Sequence, residues 1–370
     1  MQILRDVSLA SRTSIQLGGP AQYLIEARSM ADLAEALSWA ERERLCVNIL
    51  GGGSNLVVSD MGLRGLVLQV LLGGVEVEMG STSARFRVAA GESWDAIVAR
   101  SVELDLSGIE CLSGIPGTAG ATPIQNVGAY GQEVAHAITG VEAMDRANRE
   151  VVHLSRRDCD FGYRQSRFKH HDADRFVITH VHFELERRAP SPPRHPELLR
   201  RLEREGTREP SSRKLRQAVL DLRRSKSMLV DATDPNSRSC GSFFVNPKVP
   251  ATLADQIDRA VAAGSMPRYP QADGSIKLAA AWLIEQAGLS RGMRDGNVGL
   301  SPHHALAVVA YPGACAKEVV TFARRIRDTV RLRFGVSLIP EPNFWGFEPA
   351  ADPLVAGIAP SGRTSSTSPG

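Results

Sequence analysis

The hydrophobic pattern of the first 70 residues alternates between the periods of strands and helices. Ser29 and Asp32 have the spacing of a capping box, which predicts that a helix begins there. Strand–helix–strand order predicts α/β packing. The apolar runs predicted as strands are residues 23–27, 46–50 and 66–70, and the apolar helix face is Leu33, Leu37 and Ala40.

Between residues 75 and 185 the pattern shifts to shorter runs with a period of two. Residues 85–90 and 176–179 are predicted strands, and residues 94–104 are a predicted helix. The stretch 113–131 between them is punctuated by glycine and proline, which predicts a long loop.

Beyond residue 186 the composition changes twice. Residues 187–194 are rich in proline and arginine, as in a linker or an exposed loop, and residues 200–224 are basic with a helical pattern. Mixed α/β patterning returns over 239–347, with helices predicted at 279–287 and 316–334. Residues 350–370 have little to bury, and we expect them to be disordered.

The composition is typical of a globular protein, and its few scattered cysteines indicate a reducing environment. The chain has 370 residues, a formal net charge of +3 and five scattered cysteines. The small charge does not favour a nucleic-acid partner. The cysteine spacing predicts neither a metal site nor disulfides. No apolar stretch has the length of a membrane span or a signal peptide, so we expect no membrane partner and a cytoplasmic protein.

Two glycine-rich loops carry the chemical signal. Residues 51–55 read Gly-Gly-Gly-Ser-Asn directly after an apolar run. Glycines allow close backbone approach and positive φ, and their exposed N–H groups can hold a diphosphate. Taken alone, this loop could equally be a tight turn. The second loop adds small residues and the polar side chains Gln125 and Asn126, which predicts a long cofactor lying across the main chain, its ring edge read by these two side chains.

A series of short motifs follows the first glycine loop in a fixed order. The Gly-Gly-Gly-Ser-Asn loop is followed by Ile-Pro-Gly-x-x-Gly and Gln-Asn-x-Gly-Ala-Tyr-Gly, and later by Phe-Gly-Tyr-Arg, Gly-Ser-Phe-Phe-Val-Asn-Pro, Pro-Gln-Ala-Asp-Gly and Pro-Glu. In this order, the motifs resemble those of the MurB family of UDP-N-acetylenolpyruvoylglucosamine reductases. The resemblance covers about residues 12–347.

The resemblance implies an α+β fold with a two-lobed FAD-binding domain of the vanillyl-alcohol-oxidase type and a C-terminal α/β substrate domain. The implied bounds are 1–70 and 71–187 for the two FAD lobes, 188–349 for the substrate domain (its 188–225 part a capping loop and a basic helix), and 350–370 for the tail. The implied activity is NADPH-dependent reduction of an enolpyruvyl nucleotide sugar through non-covalent FAD, in a monomer that supplies peptidoglycan precursors.

Three residues are implied as catalytic. Arg164 suits the enolpyruvyl carboxylate, since a guanidinium grips a carboxylate with two hydrogen bonds. Ser242 would donate a proton to the carbon that becomes basic after hydride addition, and Glu341 would help to stabilise the enolic intermediate.

The resemblance also implies two larger sets of ligand contacts. The residues expected to bind FAD are Gly51, Gly52, Gly53, Ser54, Asn55, Leu56, Ile115, Pro116, Gly117, Gly120, Ala121, Thr122, Gln125, Asn126, Gly128, Ala129 and Tyr130. Those expected to bind substrate are Tyr163, His195, Lys226, Asn246, Tyr269, Arg291 and His304.

Two of these residues depart from the family's longer type. His195 stands where that type has a loop tyrosine, and His304 where it often has glutamine. An imidazole at residue 195 could still cap the substrate, and its charge near neutral pH would then modulate binding.

Two other readings stay open at this point. Another flavin oxidoreductase on the same FAD domain would explain the glycine loops but not the three catalytic residues. The basic run at 200–226 could contact nucleic acid, but interleaved acidic residues favour a solvated helical face.

Overall fold

The first 70 residues form a sheet with one helix packed on it. A computed structural model describes residues 1–261, 266–348 and 354. In the sheet, of order β1–β2–β5–β3, β5 pairs in parallel with both β2 and β3. The Ser29 hydroxyl accepts the Asp32 N–H and the Asp32 carboxylate accepts the Ser29 N–H, so the predicted capping box is confirmed. The elements are β1 Leu4–Ser8, β2 Pro20–Ala27, α1 Met30–Arg42, β3 Val47–Leu50, β4 Leu56–Val58 and β5 Leu63–Val70.

The next segment is an antiparallel five-stranded sheet that shares a core with the first. Its order is β11–β10–β12–β7–β6, and β12 is much longer than the predicted strand at 176–179. Ile25 and Leu68 of the first sheet pack in one cluster with Phe86 and Phe183 of the second. The elements are β6 Val75–Met79, β7 Ser83–Ala89, α2 Trp94–Glu103, β8 Gly128–Ala129, β9 Gln132–Glu133, β10 Ile138–Asp145, β11 Val151–Ser155 and β12 Phe176–Glu186.

The basic stretch forms two helices, α3 Pro196–Arg204 and α4 Ser212–Ser225, where a single basic helix had been expected. Gly206 adopts a φ of +67° after α3, and Pro210 precedes α4. The break follows because glycine favours this left-handed conformation and proline cannot continue a helix. Both helices bury leucines against Cys111, so they pack on the second sheet's side of the molecule.

The remaining residues form the C-terminal part, and its last strand returns to the N-terminal part. β20 pairs in parallel with β4, and the Asp60 carboxylate accepts the N–H groups of Ala316 (2.7 Å) and Lys317 (3.0 Å) at the start of α7. This carboxylate complements the positive end of the helix. The elements are β13 Ser239–Ser242, β14 Lys248–Val249, α5 Ala251–Ala260, β15 Arg268–Pro270, β16 Ile276–Leu278, α6 Ala280–Gln286, β17 Arg294–Asp295, β18 Val298–Leu300, β19 Ala307–Ala310, α7 Ala316–Phe334 and β20 Asn343–Trp345.

The mixed α+β architecture agrees with the sequence, and α7 has the predicted bounds. The expected tail, 350–370, lies outside the described residues apart from Leu354, which is buried in the C-terminal core. Within the described ranges, no helix is long and apolar enough to cross a bilayer, and no cluster of potential ligands could hold a metal ion. All five cysteines are described, and all are free thiols.

Candidate active site

The two glycine loops pack against each other between the sheets. A Cβ built on Gly52 would lie 2.7 Å from the Cα of Gly117, and the Ser54 hydroxyl donates to the Pro116 carbonyl at 3.0 Å. Gly53 has a φ of +62°, and a Cβ there would lie 1.9 Å from the Arg12 carbonyl oxygen. The glycines therefore allow one loop to pack on the other, which builds a thin wall of backbone.

Two cavities open along this wall. The larger has a volume of about 570 Å³ and is lined by Gly51, Gly120 and aromatic side chains, including Phe168 and Trp345. The smaller, of about 230 Å³, is lined by residues from all three parts of the chain. Their combined size suits a long ligand that runs from one to the other. The residues that line both are Thr118, Ala121, Ile124, Arg164, Lys169 and Asn343.

Some of the predicted cofactor residues line these two cavities and others do not. Leu56 is buried in an apolar cluster beneath the loop. The Asn126 side chain is satisfied within the protein, since it donates to Glu133 and Gly162 and accepts the Ala135 N–H. These contacts use the Asn126 amide within the protein, and its expected contact with the cofactor stays a prediction. Those lining a cavity are Gly51, Ser54, Asn55, Ile115, Pro116, Gly120, Ala121, Thr122, Gln125, Gly128 and Ala129; the other expected residues, Gly52, Gly53, Gly117 and Tyr130, line neither of these two cavities.

Arg164 is held in one orientation at the junction of the cavities. Its guanidinium donates to the carbonyls of Gly128 (2.6 Å) and Asn126 (3.3 Å), and its Nε lies 3.3 Å from the Glu341 carboxylate. Its own φ is +56°, an uncommon conformation for a residue with a side chain. Such strain is typical of functional sites.

Glu341 is held from several sides. Its carbonyl accepts from the Asn55 amide (3.1 Å), and the Gln125 amide donates to its carboxylate (3.4 Å). Burial raises the pKa of Glu341, and the charges of Arg164 and Lys169 partly oppose that rise. A buried carboxyl with a raised pKa can carry or share a proton near neutral pH.

Ser242 reaches the same cavity by a different route. It ends β13, and the next residue, Phe243, accepts the Glu341 N–H at 2.9 Å. Gly241 has a φ of +73°, which turns the chain at this point. Arg164, Ser242 and Glu341 therefore line one cavity although they are distant in sequence.

The predicted substrate residues form two clusters outside this cavity. In the first, Tyr163 hydrogen-bonds to Asn246, and the Lys277 ammonium lies 4.5 Å from the Tyr163 ring centroid and 5.9 Å from that of Tyr269. Asn246 also accepts the Ala280 N–H at the start of α6 (2.9 Å). A cation between two rings is stabilised by cation–π attraction and suits an anionic ligand.

The second cluster surrounds Lys226. Its ammonium pairs with Glu197 and lies 5.9 Å from the Tyr130 ring centroid, while the His195 ring stands edge-on to Tyr130 at 5.1 Å. His304 is close enough for the charge of Lys226 to act on it. Arg291, the last predicted member, also acts on His304 and pairs with Glu285 at 2.9 Å.

Comparison with known proteins agrees with this architecture. Residues 21–155 match a family model described as an FAD binding domain, and residues 234–345 match the C-terminal domain of UDP-N-acetylenolpyruvoylglucosamine reductase. The proteins of that name from Thermobifida fusca and Streptomyces avermitilis are 44% and 42% identical over 346 and 356 residues, which is 91% and 94% of this chain and 96% of each relative. The chain belongs to the UDP-N-acetylenolpyruvoylglucosamine reductase family.

A solved structure supports the same fold for the family. The reductase from Thermus caldophilus superposes with a TM-score of 0.64 over 93% of this chain and 99% of that one, at 22% identity. The predicted FAD-domain architecture with a C-terminal domain is thus confirmed. Membership in the reductase family also removes the alternative of another flavin oxidoreductase on the same domain.

The structure adds four charged residues to the family motifs. Lys169 lines both cavities, Lys277 joins the first cluster, Glu197 the second, and Arg223 is buried beside the smaller cavity. The motif Phe-Gly-Tyr-Arg lies five residues before Lys169 and could have drawn attention to it. Lys277 likewise follows the Pro-Gln-Ala-Asp-Gly motif by three residues. Glu197 and Arg223 have no local signal, because single charged residues in a charged stretch look alike in sequence.

The basic run is largely neutralised within the protein. Arg216 forms two hydrogen bonds with Asp95 (2.6 and 2.9 Å), and Arg201 pairs with Asp221 (3.0 Å). Lys214 pairs with Glu205 at 2.5 Å. These contacts favour a structural role for the charges of α3 and α4 over a nucleic-acid surface.

Proposed function

We infer that the chain reduces the enolpyruvyl double bond of UDP-N-acetylenolpyruvoylglucosamine to give UDP-N-acetylmuramate, with FAD as its flavin and NADPH as hydride donor. The observation that carries the assignment of residues is the convergence of Arg164, Ser242 and Glu341 on one cavity. The reaction belongs to peptidoglycan precursor synthesis.

The backbone wall fits FAD. Its glycines let the main chain itself form part of the cavity walls, and its polar residues, such as Asn55 and Gln125, line the smaller cavity. We propose that the residues lining the two cavities hold the flavin, with Lys169 at their junction. When bound, FAD supplies the hydride that adds to the substrate's terminal carbon.

In this proposal Arg164 binds the enolpyruvyl carboxylate. Its bonds to the Gly128 and Asn126 carbonyls orient the guanidinium before the ligand arrives. As the hydride adds to the far carbon, electrons of the double bond move onto the carboxylate as an enolate. A fixed cation there lowers the barrier because it needs no reorganisation during the step.

Glu341 and Ser242 complete the step. The raised pKa of Glu341 allows a neutral carboxyl to donate a hydrogen bond to the enolate oxygen. The Ser242 O–H then gives its proton to the carbon next to the carboxylate, which forms the new C–H bond. The serine oxygen recovers a proton from solvent.

The two outer clusters would hold the rest of the nucleotide sugar. We propose that Tyr163, Asn246 and Tyr269 bind one end, and that Lys226, Arg291, His195 and His304 bind the diphosphate.

We also propose the division into lobes 1–70 and 71–187 and a substrate part 188–349. Ile15 and Val57 pack in the C-terminal core, so these parts are joined by shared packing. A cytoplasmic location and a monomeric state remain proposals.

The test separates the two half-reactions. The purified protein should be yellow and release FAD on acid treatment, NADPH should bleach it without oxygen, and enolpyruvyl-UDP-N-acetylglucosamine should restore the colour. A protein that takes up FAD but is not reoxidised by this substrate would contradict the proposal.

A further inference from the structure

The cluster around Lys226 contains the imidazole of His195, one nitrogen of which has no hydrogen-bond partner in the described part of the chain. His195 stands at the N-cap of α3 but makes no capping hydrogen bond there, and Pro196 follows. Its Nδ1 is buried and has no hydrogen-bond partner among the described residues. Leaving a buried polar group unpaired is unfavourable, so we expect this nitrogen to gain a partner when a ligand binds.

A second imidazole faces the same lysine from another element. His304 lies in the turn between β18 and β19, and the described residues make no hydrogen bond to its ring. Burial, and next the charge of Lys226, lower its pKa to about 4. Burial likewise lowers the pKa of His195. Both rings are therefore neutral at pH 7 in the free protein.

The charges around the two rings do not suffice for a diphosphate. Lys226 is neutralised by Glu197, and Arg291 by Glu285. Arg223 is buried, its guanidinium donates only to the carbonyls of Gly114 (3.1 Å) and Met228 (2.8 Å), and no described carboxylate pairs with it. These groups together leave one unit of positive charge, whereas a diphosphate diester carries about two negative charges at neutral pH.

Among the described residues, Arg200 is a further charged group that acts on His195. His195 faces Tyr130, Glu197, Lys226 and Arg200, and His304 faces Lys226, Glu197, Arg291 and Arg223. Arg200 is an exposed residue of α3, so solvent screens its charge. An incoming diphosphate would favour the protonated form of both imidazoles, because an opposite charge nearby stabilises it.

We propose that His195 and His304, the two imidazoles of the proposed diphosphate site, together take up about one proton as the diphosphate arrives. The inference rests on the proposed function and adds to it a dependence on pH. A diphosphate diester has no group that titrates near neutrality, so the protons must come to the protein. Affinity then rises as pH falls, by up to about tenfold per pH unit for each linked proton.

Calorimetric titration tests this with the flavin-loaded protein and UDP-N-acetylglucosamine, which has the diphosphate but cannot be reduced. Titration at pH 7 in two buffers of different ionisation enthalpy gives the number of protons taken up. We expect about one for the natural chain and for His136→Gln, an exposed control. We expect almost none for the double variant His195→Tyr and His304→Gln, which carries the residues implied by the family resemblance and should fold.

Two results would overturn the inference: binding without proton uptake by the natural chain, or equal uptake by the double variant. In the second case a group other than the two imidazoles would take up the proton. Neither result touches the proposed function, which fails only if the enolpyruvyl substrate does not reoxidise the reduced flavin. The two failures are therefore distinguishable in one preparation.

Discussion

The Nε of Arg164 lies 3.3 Å from the Glu341 carboxylate, and the same guanidinium donates to the Gly128 carbonyl at 2.6 Å. The second contact fixes the arginine to the backbone wall, so the ion pair does not have to hold it in place. Glu341 is at the same time bound through its N–H to the residue after Ser242. The proposed carboxylate site and the proposed proton donor are thereby connected through one residue.

Arg164→Lys keeps the positive charge but loses the planar guanidinium, whose several N–H groups can reach both backbone carbonyls and the substrate carboxylate. We expect kcat to fall by about 10²–10³-fold, a loss comparable to that of one oxyanion donor. Flavin content should stay as in the natural protein. Stopped-flow reoxidation of the reduced flavin by substrate measures the effect, with exposed Arg85→Lys as control. Unchanged reoxidation would remove Arg164 from the catalytic step.

Ser242→Ala removes the proposed proton donor and little else, since the hydroxyl makes no hydrogen bond within the described structure. Flavin reduction by NADPH should survive, while reoxidation by substrate slows by at least about 10²-fold. The exposed Ser290→Ala serves as control. Loss of both half-reactions in Ser242→Ala would show that Ser242 has a different role.

Glu341→Gln separates catalysis from stability. Burial raises the pKa of Glu341, so its folded form prefers the proton and loses stability as pH rises through that pKa. Glutamine cannot ionise, and the variant should therefore melt higher than the natural protein at pH 8, with the difference vanishing at low pH. Its kcat should fall by about 10²-fold. Thermal melts at pH 5 and pH 8 give the comparison; a lower melting temperature at pH 8 would mean that Arg164 stabilises the ionised form.

Gly53→Ala should abolish flavin retention. Its φ of +62° is unfavourable for alanine, and the new Cβ would lie 1.9 Å from the Arg12 carbonyl oxygen, so the loop must move. Gly206→Ala is the matched control, because Gly206 has a φ of +67° but open space around it. Both variants should lose about 1 kcal/mol of stability because alanine disfavours a positive φ, but only Gly53→Ala also introduces a steric clash. FAD retained per chain after gel filtration reports the difference, and equal retention would contradict it.

Glu142→Gln should lower stability only above acidic pH. Hydrogen bonds from Arg87, and also from His182, hold the pKa of Glu142 at about 2, below its ordinary 4.5. The depressed pKa contributes stability above 4.5, and this contribution is lost as pH falls toward 2. In urea unfolding at pH 7, the free energy of unfolding of the variant should be lower by about 2 kcal/mol. This is less than the loss expected for a fully buried ion pair, because Arg87 is partly exposed to solvent. Exposed Glu78→Gln, on the same sheet, should change little at any pH.

The amino-acid sequence alone determined the features that depend on short segments. The capping box at Ser29, the bounds of α7, the two glycine loops and the family motifs are all of this kind. A helix cap or a positive-φ glycine is decided by a few adjacent residues, and the sequence states them directly. The catalytic set came from the motif resemblance, and its roles stay predictions.

Only the tertiary structure decided which side chains face the cavities. Asn126 and Leu56 belong to loop motifs, yet one is satisfied inside the protein and the other is buried. Arg223 and Lys277 look like any basic residue in the sequence, yet one is buried without a carboxylate and the other lies between two tyrosines. The direction of a side chain depends on pairings such as β20 with β4, between segments far apart along the chain. No local pattern encodes such a pairing, because its energy comes from burial and hydrogen bonds that exist only after folding.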